Sequence, residues 1–207
     1  MDMKIFIAIP TFENISPDTF KSIYGLDRGG HWLVFDFVRG YDCAQARNRI
    51  AQQAIAEEAD YVLMVDSDVI VPGNAIVDML SCDADVVIGI CAHRNNSNIY
   101  EGLTSVCKDD GEKDYTHQYT GKEITELREK GVYKIKVHGG GMGCTLIKTD
   151  VFRRLEYPYF KWIDYGNGTV LSEDLYFCEQ CKNAGISIYS DTRVTPLHIF
   201  RYAQGVV

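Results

Sequence analysis

The chain has 207 residues, 46% hydrophobic and 24% charged, with a formal net charge of -8. That length supports one globular domain with a substantial core, and no run approaches the roughly 20 consecutive apolar residues that a membrane-spanning helix needs. The acidic balance argues against tight, non-specific binding to nucleic acid, whose phosphates are held by clustered Lys and Arg.

The first residues run directly into Ile5-Phe6-Ile7-Ala8-Ile9 and then Pro10. Without a basic leader, this reads as a first strand and not as a signal peptide, so a cytoplasmic location is expected. Seven cysteines, an odd number without a paired framework, point to free thiols in a reducing compartment. Cys178 and Cys181 have C-x2-C spacing, but they lie inside a predicted helix with no second pair to complete a zinc site.

Strand-like apolar runs fall at residues 4–9, 32–38, 61–65 and 85–90, with helical spacing at 17–24, 43–58 and 74–80 between them. In the second helix, Ala46, Ile50, Ala54 and Ile55 share one face. This alternation predicts an α/β fold with a mostly parallel central sheet flanked by helices. Residues 91–137 turn polar and loop-like, with one short helix at 122–130. Beyond the glycine run at 139–143, the pattern predicts a strand at 144–148 and a helix at 149–155 capped by Thr149 or Asp150. A Tyr-rich loop at 157–168, a helix from Ser172 and a strand at 186–189 complete the chain, which has no internal repeat or linker and reads as one domain over 1–207.

The apolar run Tyr61-Val62-Leu63-Met64-Val65 ends in Asp66-Ser67-Asp68. Alternation along a strand puts residues i and i+2 on one face, so the two carboxylates are expected to converge at the strand's carboxyl end, where open α/β sheets bind ligands. Two hard oxygen ligands suit Mg²⁺ or Mn²⁺, which can bridge a diphosphate and stabilise a departing nucleotide. The simpler alternative is a turn that caps the next helix, yet Pro72 and Asn74 already supply a helix start.

In Ser172-Glu173-Asp174, Ser172 is a helix cap with two acids in the first turn. Acids are favoured there by the helix dipole whatever the function, and one of them, ionised, would serve as a general base. His198 is a lone histidine among apolar residues, either a satisfied structural group or a further ligand for Mn²⁺. The glycine run precedes a strand, so it is neither a Walker loop nor a dinucleotide fingerprint; it allows close approach to a ligand or a plain flexible connection. Tyr157, Tyr159, Phe160, Trp162 and Tyr165 are candidates for stacking on a sugar or base, for core, or for a dimer contact in a homo-oligomer.

Taken in order, Ile9-Pro10-Thr11, Ala46-Arg47-Asn48, Asp66-Ser67-Asp68, Gly141-Met142-Gly143-Cys144, Ser172-Glu173-Asp174 and His198 form a pattern that resembles the GT-A-type nucleotide-sugar glycosyltransferases, in particular small bacterial and phage enzymes of the family 2 kind. The resemblance implies a Rossmann-like GT-A domain with a small second sheet, a nucleotide-binding half over 1–90 and an acceptor-binding half over 91–207. It implies that Pro10, Thr11 and Glu13 line the nucleotide pocket, with Arg47 near the base or diphosphate and Ser67 and Gly141 also on the donor. Asp66, Asp68 and His198 would hold Mn²⁺ or Mg²⁺. Asp174, with Glu173 as runner-up, would be the base of an inverting transfer from a UDP- or GDP-sugar.

One departure concerns the base: many relatives place an acidic pair with Ser or Thr directly after the second strand to read uracil, and here the segment is Phe37-Val38-Arg39-Gly40-Tyr41-Asp42. The sequence stops soon after His198 without an appended amphipathic or membrane helix, so a soluble acceptor is expected, and a nucleic-acid acceptor stays open. Three rivals stand beside this reading. A nucleotidyltransferase lacks support because the basic glycine-rich loop is missing from Pro10-Thr11-Phe12-Glu13-Asn14. A non-catalytic module that binds nucleotide sugar or glycan would not need both acid pairs. A retaining transferase is not separated from an inverting one by Asp174 alone.

Overall fold

A computed structural model describes residues 2–12, 14–92, 101–111 and 115–199. The first half alternates strand and helix: β1 (Lys4–Thr11), α1 (Pro17–Tyr24), β2 (Trp32–Arg39), α2 (Cys43–Ala56), β3 (Tyr61–Val65), β4 (Val69–Ile70), α3 (Ala75–Ser81) and β5 (Val86–Ile88). The second half contains β6 (Leu103–Lys108), β7 (Gln118–Thr120), α4 (Gly121–Glu129), β8 (Lys134–Gly140), β9 (Cys144–Lys148) and α5 (Asp150–Arg154). It ends with β10 (Ile163–Asp164), β11 (Val170–Leu171), α6 (Glu173–Asn183), β12 (Ile188–Asp191) and β13 (Leu197–His198).

Among the described residues, nine strands form one sheet in the order β2-β1-β3-β9-β5-β12-β8-β6-β7, and two small sheets, β10-β11 and β13-β4, stand apart. β1 pairs in parallel with β2 and β3, and β12 with β5. β9 inserts antiparallel between β3 and β5. β3 and β5 are buried along their length apart from the half-buried Tyr61, the pattern of strands covered on both faces. Two hydrophobic clusters cover the sheet, one built on Phe6, Ile50, Met64 and Phe177, the other on Ile5, Ile7, Leu63 and Ile76.

Local chemistry explains the element ends. Asp42 accepts from the Gln45 N–H and caps α2. The expected helix over 43–58 stops two residues early because Glu58 adopts φ 51°, and its N–H turns back to the Ile55 carbonyl. Thr120 and Glu123 form a reciprocal capping box on α4. The final parallel strand lies at Ile188–Asp191, shifted from the expected 186–189 after Gly185 at φ 72°.

The segment read as loop-like, 91–137, contributes β6, β7 and the first part of β8, which extend the sheet antiparallel beyond β12. Gly139 and Gly140 end β8 and permit close packing within the protein: a methyl on Gly139 would lie 2.7 Å from Tyr115 Cε1 and 2.9 Å from Cys178 Sγ. The seven cysteines are free thiols; Cys178 and Cys181 are core residues of α6. No helix among the described residues is long and apolar enough to cross a membrane.

Candidate active site

Asp66, Ser67 and Asp68 follow the last residue of β3 and form a turn, closed by the Val69 N–H donating to the Asp66 carbonyl at 3.2 Å. The two carboxylates are brought together by this turn, not by strand alternation, because the strand has already ended at Val65. The Asp66 N–H donates to the Gly143 carbonyl at 2.9 Å, and the Ser16 N–H donates to the Ser67 carbonyl at 2.9 Å. The loop after β1 therefore lies against the turn, while Pro10 and Thr11 sit at the buried carboxyl end of β1. Glu13 lies outside the described residues.

His198 reaches the same place from the far end of the sequence. β13 pairs with β4 and sets His198 opposite Val69, and the Ile199 N–H donates to the Asp68 carbonyl at 2.8 Å. One ligand-capable atom from each of Asp66, Asp68 and His198 lies within 4.8 Å of the others. His198 Nδ1 faces the Ala92 carbonyl at 3.4 Å, a contact that favours the tautomer with Nε2 as acceptor. A methyl on Gly143 would stand 3.5 Å from both Asp66 Oδ2 and His198 Nε2, so those two atoms face one spot. Two carboxylates and an imidazole are a donor set that fits Mn²⁺ or Mg²⁺, and the nitrogen ligand suits Mn²⁺ better.

Across from this turn, Ser172 caps α6 through the Leu175 N–H and delivers Glu173 and Asp174 to the first turn of the helix. Glu173 is buried and accepts from Arg47 Nη1 at 2.9 Å. Asp174 Oδ2 accepts from the Met142 N–H at 3.3 Å, while its Oδ1 stands 3.7 Å from Arg47 Nη1 and makes no hydrogen bond among the described residues. Both carboxyls depart from the ordinary range of an acid at a helix N-terminus. Burial, reinforced by Asp174, pushes the Glu173 carboxyl up to about 7 against the pull of Arg47. Burial also raises Asp174, opposed by Arg47 and assisted by Asp66.

Arg47, expected beside the donor, is 2% exposed, and its terminal nitrogens are bonded to Asp66 Oδ1 and Glu173 Oε1, each at 2.9 Å. Burial works against its charge, but Asp174, Asp66 and Glu173 together hold the guanidinium firmly protonated. Asn48, on the same helix, pins the aromatic loop: its side-chain oxygen accepts from the Tyr159 and Phe160 N–H groups, and its nitrogen donates to the Phe160 carbonyl at 2.7 Å. Tyr159 and Phe160 are thus core, while Tyr157, Trp162 and Tyr165 stay exposed.

A cleft of about 550 Å³ is lined by Gly141, Asp174 and His198. The same cleft is walled by Ser105, Cys107, Tyr115 and Gln118 from the segment that reads as loop. Tyr115 is anchored there by donating its hydroxyl to Glu179 at 2.7 Å. None of these four was anticipated from sequence; Ser105 and Cys107 lie on β6, which pairs with β8, and Gln118 lies on β7.

Two solved structures share this architecture. The crystal structure of A197 from STIV matches with a TM-score of 0.64 and 17% identity over 96% of this chain and 87% of that one. The crystal structure of GalNAc-T7 with UDP, GalNAc and Mn2+ matches with a TM-score of 0.64 and 12% identity over 96% of this chain. The fold is that of the GT-A glycosyltransferases. This chain spans 44% of the GalNAc-T7 chain. The Anp1 family model matches residues 35–115, a stretch that carries Arg47 and the Asp66-Ser67-Asp68 turn. No curated protein sequence matches the chain. Within the GT-A frame, the turn after β3, the start of α6 and β13 are the three places where the candidate site is assembled.

Proposed function

We propose that this chain is a metal-dependent glycosyltransferase that moves a sugar from a nucleotide-sugar donor to an acceptor hydroxyl with inversion at the anomeric carbon. The observation that carries this reading is the convergence of Asp66 and Asp68 on His198, which lines the same cleft as Asp174. The Anp1 model is a mannosyltransferase domain, and GalNAc-T7 was solved with UDP, GalNAc and Mn2+, the ligand classes this reading requires here.

In this reading, residues 1–90 form the nucleotide-binding half of a single domain over 1–207, with Pro10, Thr11, Glu13 and Ser67 on the donor. Residues 91–207 form the acceptor half, in which Gly141 leaves room beside Asp174. Asp66, Asp68 and His198 hold Mn²⁺ or Mg²⁺, which when bound supplies Lewis-acid stabilisation of the charge on the leaving diphosphate. Asp174 accepts the proton of the acceptor hydroxyl as its oxygen bonds to the anomeric carbon. The bond from that carbon to the diphosphate oxygen breaks, and its electron pair leaves with the nucleotide. Burial raises the Asp174 carboxyl above its ordinary range, which makes its carboxylate a stronger proton acceptor. Exclusion of water from the buried Arg47–Glu173 pair keeps the acid group in one arrangement.

A panel of UDP- and GDP-sugars incubated with Mn²⁺ tests the reading through release of nucleoside diphosphate. Release from at least one donor, lost in an Asp66→Asn/Asp68→Asn variant, is expected. Release that persists in the folded double variant contradicts it.

A further inference from the structure

Arg47 is the largest fully buried side chain in the core, and it joins residues from three distant parts of the sequence. Nη2 is fixed on Asp66 Oδ1, and Nη1 is fixed on Glu173 and lies near Asp174. With Oδ1 of Asp66 occupied by Arg47, its Oδ2 is the oxygen that faces His198 Nε2. One guanidinium therefore orients a carboxylate on the metal side while it partners the acid pair on the acceptor side. The fork geometry matters, because two nitrogens serve two carboxylates at once, which a single ammonium on a flexible stem does not reproduce.

We propose that Arg47 is a positioning residue that couples the metal-binding turn to the acid pair of α6, so that the state of Glu173 sets how well Asp66 ligates its cation. This rests on the metal site proposed above. Physically, Arg47 is one positive charge divided among Asp66, Glu173 and Asp174. Neutralising Glu173 leaves more of that charge on Asp66, which then competes with the incoming cation. An arginine that serves packing alone would leave cation affinity indifferent to Glu173, which is not itself in the group of possible ligands.

The test is titration of Mn²⁺ alone into the intact chain at pH 8, where Glu173 is ionised in the wild type, with circular dichroism as the check of folding. Arg47→Lys is expected to weaken Mn²⁺ binding by roughly 10- to 100-fold, the usual cost of losing an outer partner of a metal ligand. Glu173→Gln is expected to weaken it about threefold or more, and the double variant to be no weaker than Arg47→Lys, since the two act through one contact. Mn²⁺ affinity unchanged in a folded Arg47→Lys protein, or unchanged in Glu173→Gln, overturns the coupling. If Arg47→Lys does not fold, Glu173→Gln alone decides. Wild-type protein that binds no Mn²⁺ overturns the metal site and the coupling together, whereas wild-type binding with indifferent variants overturns only the coupling.

Discussion

Asp174 and His198 line one cleft although they arrive by unrelated routes, Asp174 in the first turn of α6 and His198 on the two-residue strand β13. That cleft has Asp66 and Asp68 beside the histidine and Met142 and Gly141 beside the acid. The proposed base and the proposed cation site should be separable by mutation, and this gives the first expectation.

Asp174→Asn removes the proposed proton acceptor but leaves Asp66, Asp68 and His198 in place. Sugar transfer should fall by about 10²- to 10⁴-fold in kcat, the usual contribution of a general base, while Mn²⁺-dependent binding of nucleoside diphosphate stays close to wild type. Steady-state rates and a parallel binding titration separate the two effects. Transfer that survives in Asp174→Asn would remove it as the base.

The acid pair also carries a pH signature. The Glu173 carboxyl is raised from its ordinary 4.5 to about 7, so the folded state holds a proton that the unfolded chain gives up earlier. Its contribution to stability is fully present below about pH 4.5 and is lost as pH rises through about 7. In metal-free protein, the urea midpoint of the wild type relative to Glu173→Gln should therefore decline between pH 5 and pH 8. A difference that stays constant over this range, or widens, contradicts the assignment.

The glycines differ in what they tolerate. Gly139→Ala would place a methyl 2.7 Å from Tyr115 Cε1 and 2.9 Å from Cys178, which forces α6 away from β8. A loss of about 1–3 kcal/mol of stability is expected, as for other overpacked sites. Gly141→Ala has room, with Ser105 Cβ at 3.6 Å and Asp174 Oδ2 at 3.8 Å, so it should fold normally and instead lower transfer by filling the cleft. Denaturation midpoints and kcat/KM measured on both variants test this contrast.

Removing the imidazole should weaken the cation without unfolding the domain, because His198 is only half-buried and β13 is a two-residue strand. His198→Ala is expected to need at least about tenfold more Mn²⁺ for half-saturation. An unchanged Mn²⁺ requirement would take His198 out of the ligand set.

Much of this arrangement is legible in the amino-acid order. Apolar runs identify β1, β2, β3 and β9 within a residue or two, and the Asp66-Ser67-Asp68 and Ser172-Glu173-Asp174 groups stand out because they interrupt or follow such runs. What is hidden is long-range. The strands β6 and β8 carry Thr, Ser, Lys and His at alternate or adjacent positions, and the Lys-Ile-Lys-Val-His alternation of β8 is a strand signal obscured by its polar surroundings. Nothing local marks the insertion of β9 between β3 and β5, and the Arg47–Glu173 ion pair spans 126 positions. Spacing along a strand also gave the wrong reason for the convergence of Asp66 and Asp68, which a turn produces after the strand has ended.

The most direct test of a metal-dependent donor site is the thermal stability of the purified chain with UDP or GDP, in Mn²⁺ and in chelator. At a nucleotide concentration about 100 times its dissociation constant, binding adds about 2.7 kcal/mol, or roughly 5–10 °C for a domain of this size. The expected result is a rise of that order only when Mn²⁺ is present, and none in the Asp66→Asn/Asp68→Asn variant. An equal rise in chelator, or one that persists in the double variant, would contradict the proposed site.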